Sequence, residues 1–511
     1  MKVSYRALAL LLTAASVSAC ATTAPTIAAR QAVALPQARD AYFQEAVQRL
    51  AERPSAERAR NVIIFVGDGM GVTTVTAARI YAGQRQGIDG ESYNLTMDTF
   101  PHTALSRTYG HDAQISDSAP TATALLSGVK TNEGVIGVTS ASQRQTCEGQ
   151  NAHASRSIFE IAEAAGLATG IVSTARITHA TPAAAYAHTN YRNWENDVEL
   201  GAAAAQGCID IARQLVEWPE GDGFEVAFGG GRANFIPNTA VDPETPSAHG
   251  ARADGRDLTE QWRSARADRV YVWNTAQLTA APADAQVLGL FSADHLAYES
   301  ARTRDVGGEP SLSELTAAAI TRLSRDRDGY VLLVEGGRID HAHHDGRAGE
   351  ALSETVAFDD AIRTALQMTD RDDTLLIVTA DHSHTFTMSG YSPRGASILG
   401  LSLRDDGTPE IATDGRPYTT LGYANGPGGV FPPPAARGEA PPAVTRPDLT
   451  GVDTQALAFR QPALAPLRSE THGGDDVAIY AWGPGDDAVA GTLEENVVFH
   501  VMARALGFTE R

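Results

Sequence analysis

Runs of apolar, β-branched residues that stop abruptly at Gly or Asp recur along the chain, at residues 62–66, 170–174, 225–228, 330–334, 375–379 and 477–481. Between them the apolar positions change period: in ALSETVAFDDAIRTALQ, Leu352, Val356, Ile362 and Leu366 repeat at helical spacing. Near-continuous apolar strands alternating with helices predict an α/β fold in three layers, α/β/α, around a central, mostly parallel sheet buried on both faces. Asp68, Glu335 and Asp381 each fall just past the carboxyl end of such a run, and His179 and Thr181 lie a few residues beyond another. In open α/β sheets that rim is where ligands bind, so residues far apart in sequence can converge there. Near the amino end Phe43, Val47 and Leu50 predict a helix packed on its own core, with an arm across a dimer partner as the alternative. Residues 391–470 break the rhythm: Pro and Gly rise, as in NGPGGVFPPPAARGEAPP, and predict a loop-rich insertion rather than a separately folded domain.

A chain of 511 residues is long enough for one large α/β domain with insertions. Its net charge of −21 argues against a nucleic-acid surface or a polybasic membrane patch. If the substrate is an anion, attraction must then be local. Lys2 and Arg6, the apolar stretch 7–15 and Val17-Ser18-Ala19-Cys20 are similar to a bacterial lipoprotein signal. On that reading residues 1–19 are removed, Cys20 is lipid-modified, 20–39 form a tether, and 40–511 form one catalytic domain carrying the 391–470 insertion. An ordinary secretory signal cut after Ala19 is the alternative. Either places the protein outside the cytoplasm, in the periplasm, on the outer membrane or at the cell surface. No later apolar run is long enough to span a bilayer. Setting Cys20 aside leaves Cys147 and Cys208, for which a single disulfide is the economical expectation in an oxidising compartment.

The candidate chemistry lies in short stretches: VGDGMG (Asp68), SDSAPTATA (Ser118), HATP (His179, Thr181), YRNW (Arg192), VEGGRIDHAHH (Glu335, Asp340, His344), TADHSH (Asp381, His382) and ETHGG (His472). Asp and His suit zinc, while Asp, Glu and a hydroxyl suit magnesium, so these types make sense together as a cluster of two or three divalent metals. VGDGMG alone is weak, because many Gly-rich turns carry a capping Asp. Pro120 favours a helix start, which places Ser118 at a helix amino end, where it either meets a bound phosphate or, with Asp117, merely caps the helix. Asp340 and His344 are one helical turn apart and face the same side. His341 and His343 stay ambiguous: one can line the site while the other supports it by hydrogen bonding. His472, by default a surface-loop residue, would complete a zinc site of Asp340, His344 and His472 with one position open.

Together these stretches resemble the alkaline phosphatases from about residue 60 to the carboxyl terminus. The animal-type branch is closer than the enteric bacterial type, because His179 and His341 stand where the latter has Asp and Lys. The resemblance implies two Zn2+, one on Asp340, His344 and His472 and one on Asp68, Asp381 and His382, and one Mg2+ on Asp68, Thr181 and Glu335. It also implies Ser118 as the nucleophile, Arg192 as a fork on two phosphate oxygens, a Cys147–Cys208 disulfide, a crown-like lobe at 391–470 and a homodimer. A phosphate monoester would be hydrolysed through a phosphoserine, faster above neutral pH. For the calcium-like site of animal-type members Glu244, Phe291 and Glu309 align, but Ser292 stands where a carboxylate is expected, so tight calcium binding is not expected. A phosphodiesterase or sulfatase of the same superfamily, or a non-catalytic phosphate- or metal-binding lipoprotein, are the competing readings. The serine at 118 and the Arg192 clamp weigh against them.

Overall fold

The computed structural model describes residues 30, 34–53, 55, 57–148, 150–430 and 446–508; the signal segment and Cys20 lie outside them. The strand Asn61–Gly67 (β1) is buried along its whole length. Its side chains divide between two apolar clusters, Val62, Ile64 and Val66 in one and Ile63 and Phe65 in the other. A strand apolar on both faces is stable only with cover on both. One face is covered by the helices Ala41–Ala51, Ser118–Ser127, Ile158–Ala164 and Val497–Ala505. Helices Val72–Arg85, Leu312–Leu323 and Ala348–Met368 cover the other.

Among the described residues ten strands make the central sheet. After β1 come His102–Arg107 (β2), Ala168–Arg176 (β3), Val226–Gly230 (β4), Arg269–Val272 (β5), Gln286–Leu290 (β6), Tyr330–Glu335 (β7), Thr374–Ala380 (β8), Val477–Trp482 and Gly491–Glu494. Their spatial order is Gly491–Glu494, β2, Val477–Trp482, β8, β1, β7, β3, β4, β6, β5. β1 runs parallel to both neighbours, with Val66 opposite Glu335 and Gly67 opposite Ala380. Val477–Trp482 alone runs against its neighbours, β8 and β2. Its amino end therefore meets the carboxyl ends of the other strands.

The amino-terminal helix lies on its own chain. Asp40 caps it by accepting from the N–H groups of Tyr42 and Phe43. The Phe43 ring packs 5.9 Å from Phe499 and 4.4 Å from His500. Gln37, just before it, is buried and donates to the carbonyls of Ser127 and Arg156. Among the described residues of 391–470, isolated bridges and the strands Leu421–Gly426 and Ala463–Pro466 replace long elements, the two strands forming a three-stranded sheet with Phe386–Met388 just before the range. Cys147 and Cys208 are disulfide-bonded, with Trp194, Leu200 and Ala203 packed around them. No helix of the described residues is long and apolar enough to cross a membrane.

Candidate active site

The carboxyl rim of β1, β7 and β8 gathers the acids. Asp68 follows β1, Glu335 ends β7 and Asp381 follows β8. Asp381 Oδ1 accepts from the N–H of Gly69 (3.0 Å) and of His382 (2.9 Å), tying two strand ends together. Gly69 turns at φ 67°, and a Cβ there would stand 2.3 Å from His384 Nε2. Only glycine lets that imidazole approach.

Asp68, Asp381 and His382 form one set with metal-ligand spacing. His382 Nε2 lies 3.3 Å from Asp68 Oδ1 and 3.5 Å from Asp381 Oδ2. Its Nδ1 faces the Ser383 carbonyl at 3.3 Å, so Nδ1 carries the proton and the Nε2 lone pair points at two carboxylates. Ser118 Oγ sits beside this set, 3.2 Å from His382 Nε2 and 3.4 Å from Asp68 Oδ1.

Asp340, His344 and His472 form the neighbouring set. One helical turn in Arg338–His344 brings His344 Nε2 to 3.3 Å from Asp340 Oδ1. His472 enters from the amino end of the reversed strand and places Nε2 3.4 Å from the same oxygen. His344 Nδ1 donates to the Glu470 carbonyl (2.6 Å) and His472 Nδ1 to the Ser116 carbonyl (2.8 Å). The two Nε2 atoms thus face each other at 3.2 Å, both turned towards Asp340 Oδ1. Two imidazole nitrogens and one carboxylate oxygen converging in this way offer a place for a proton or for a metal cation.

Around Glu335 most donors are oxygens, though the His179 imidazole also stands at metal-ligand spacing from Asp68 and Glu335 and its Nδ1 has no partner. Asp68 Oδ2 and Glu335 Oε1 are buried without hydrogen-bond partners, while Ser173 donates to Glu335 Oε2. Thr181 is fully buried beside Glu335. Burial, reinforced by neighbouring acids, raises Asp68 well above its ordinary pKa, Asp381 to about 6 and Glu335 to about 7. Burial also pushes Asp340 upward, but His344, His384 and His472 hold it well below the usual carboxylate range. Excess buried carboxylate is what divalent cations neutralise.

The helix Ser118–Ser127 begins at Ser118, and its N-cap Asp117 makes no side-chain cap bond. Instead Asp117 pairs with Arg192 Nη1, which disposes of the capping role for Asp117. Arg192 Nη2 donates to His179 Nε2 at 2.8 Å. Burial opposes the Arg192 charge, but Asp117 and Asp68 hold its pKa above the ordinary value. His341 packs 5.5 Å from His179 and 4.0 Å from His295, ring to ring, near the site. His343 points away, bonded to Thr74 (3.0 Å) and Tyr423 (2.8 Å).

Two residues join the site that sequence reasoning left without a role. His384 Nε2 reaches Asp340 at 2.9 Å and its Nδ1 reaches Glu470 at 2.5 Å. Burial disfavours the charged His384 ring, yet those two carboxylates raise it to about 9. The local signals were the place of His384 two residues after His382 in TADHSH and an acid two residues before His472. At the calcium-like position Glu244 is paired with Arg232 at 2.7 Å and Glu309 accepts from the Ala297 N–H.

A family model described as alkaline phosphatase matches residues 59–508. The human tissue-nonspecific isozyme of alkaline phosphatase is 45% identical over 457 residues, covering 88% of this chain and 83% of its own. A membrane-bound alkaline phosphatase of Bombyx mori is 43% identical over 478 residues, covering 90% and 84%. Among solved structures, alkaline phosphatase from Thermus thermophilus superimposes with a TM-score of 0.62 at 26% identity, covering 92% of this chain and 95% of that one.

Proposed function

We propose, for a chain that belongs to the alkaline phosphatase family, that Ser118 is the nucleophile of a metal-dependent phosphomonoesterase. The phosphodiesterase, sulfatase and non-catalytic readings fall away with that membership. The carrying observation is the position of Ser118 Oγ, within 3.4 Å of both Asp68 and His382, in a rim crowded with buried ligands.

Asp340, His344 and His472 would hold one zinc and Asp68, Asp381 and His382 the other, because imidazole and carboxylate suit that ion. Magnesium would sit on Asp68, Thr181 and Glu335, an all-oxygen set. Asp68 can serve both neighbours, having one oxygen near His382 and the other unpartnered. Bound there, the cations would lower the pKa of the Ser118 hydroxyl and offset charge on the transferring phosphoryl group.

Ser118 Oγ then bonds to phosphorus in line as the ester oxygen departs with the alcohol. Water cleaves the resulting Oγ–P bond and releases inorganic phosphate. Arg192 grips two phosphoryl oxygens with its fork, and the free N–H groups at the amino end of Ser118–Ser127 face a third. His179 and His341 keep Arg192 and the Glu335 side of the site oriented. A signal ending at Ala19, lipidation of Cys20, export, and assembly as a homodimer complete the reading, by analogy with lipoprotein signals and with the family.

The test is Ser118→Ala assayed on p-nitrophenyl phosphate, with bound metal counted in parallel. The expected result is a loss of at least about 1000-fold in kcat with metal content retained. Near-wild-type turnover by that variant removes the nucleophile assignment.

A further inference from the structure

We infer that Glu195 is a positioning residue for the phosphate grip, an inference that rests on the assignment of Arg192 above. Glu195 lies three residues after Arg192, and Arg176 lies three residues before His179. The two pair as a fork: Arg176 Nη2 reaches Glu195 Oε1 at 2.7 Å and Nε reaches Oε2 at 2.8 Å. Arg192 Nη2 and His179 Nε2 also touch each other at 2.8 Å. One ion pair therefore ties together the two segments that carry His179 and Arg192.

The brace is built in rather than incidental. Glu195 is only 6% exposed, and a carboxylate that buried is tolerable only when fully paired. Thr178 Oγ1 donates to it at 2.5 Å and Asn234 Nδ2 at 3.0 Å, so both flanks of the fork are filled. Its backbone carbonyl accepts from Ala212 N–H at 3.1 Å, and the Trp194 carbonyl accepts from Ile211 N–H at 2.9 Å. At the other end of the segment, Arg192 N–H donates to the Gly134 carbonyl at 2.8 Å. A third loop locks Arg176 in turn: Asp294 takes its Nη1 at 2.7 Å, and His295 Nδ1 accepts its backbone N–H at 3.1 Å.

The geometry fixes what Glu195 does. Arg192 itself has one side chain pairing, with Asp117, and one neighbour, His179; neither sets where its backbone stands. The Arg176–Glu195 fork sets that together with the Arg192 N–H bond to Gly134, and a guanidinium misplaced by a fraction of an ångström cannot meet two phosphate oxygens at once.

Glu195→Gln keeps the shape and removes the charge. Expected is a rise of roughly 5- to 20-fold in both KM for p-nitrophenyl phosphate and the inhibition constant of inorganic phosphate, with kcat within about 2-fold and metal content unchanged. The deciding measurement is a double-mutant cycle. In an Arg192→Ala background, Glu195→Gln should have no further effect on phosphate inhibition, because the group it positions is gone. An unchanged inhibition constant in the single variant, or an equal change with and without Arg192, overturns the inference. Arg176→Lys, which keeps a cation but loses the fork, is read by the same cycle should Glu195→Gln not give folded protein. Failure of Arg192→Ala itself to weaken phosphate binding would instead count against the assignment of Arg192.

Discussion

His344 and His472 stand Nε2 to Nε2 at 3.2 Å, each with its Nδ1 proton spent on a backbone carbonyl. Both rings converge on the buried Asp340 carboxylate, a place where a cation would be held, and the acids of the neighbouring sets point the same way. Asp381, raised to about 6, and Glu335, raised to about 7, hold protons in the metal-free fold that they would lose in the unfolded chain.

Chelation follows from that. Because both folded pKa values lie above the unfolded ones, their stabilising contribution is present at low pH and lost as pH rises through about 6 to 7. The metal-free protein should therefore lose Tm between about pH 4 and pH 7, whereas the metal-loaded protein, whose ligands stay ionised, should not. Thermal scans with and without chelator across that range check it. A pH-independent difference between the two would contradict the argument.

Glu470→Gln should weaken the site from behind. Glu470 is 1% exposed and holds His384, which in turn holds Asp340. Loss of such support typically costs about 10- to 100-fold in metal affinity or turnover. Equilibrium dialysis with zinc measures it, and unchanged affinity would mean that Asp340 is oriented by other means.

Phe43→Ala probes the amino-terminal helix. Phe43 is 1% exposed against Phe499 and His500, so truncation should cost about 3 to 5 kcal/mol in denaturant unfolding. A helix lent to a partner subunit would instead show an effect that depends on protein concentration.

Reducing the Cys147–Cys208 bond opens a loop of 61 residues. Chain entropy alone predicts a loss of about 4 kcal/mol for that length. Cys208→Ser in unfolding experiments tests the figure, and because Trp194 packs on the bond two residues from Arg192, KM for phosphate esters should rise as well.

The parts legible in sequence were those with a local cause. Asp68, Glu335 and Asp381 could be placed because each terminates a wholly buried apolar strand, and Asp340 and His344 because helical spacing aligned them. The strand His102–Arg107 was not legible: its outer positions are exposed and it holds few apolar residues. Arg269–Val272 is half-buried at the sheet edge and carries an Arg. Glu470, His384 and Asp117 owe their roles to partners far along the chain, a relation no window of sequence contains. Glu195 follows the same rule, its role depending on a fork with Arg176, 19 residues earlier.

The reversed strand Val477–Trp482 separates β8 from β2 and carries His472 just ahead of it. Since ribosomes build from the amino end, every other proposed ligand is finished well before this one. A product truncated before residue 472 would not merely miss one imidazole: β8 would be left as a bare, apolar border inviting another chain to add on. Such fragments should accumulate as aggregates rather than as a weakened enzyme.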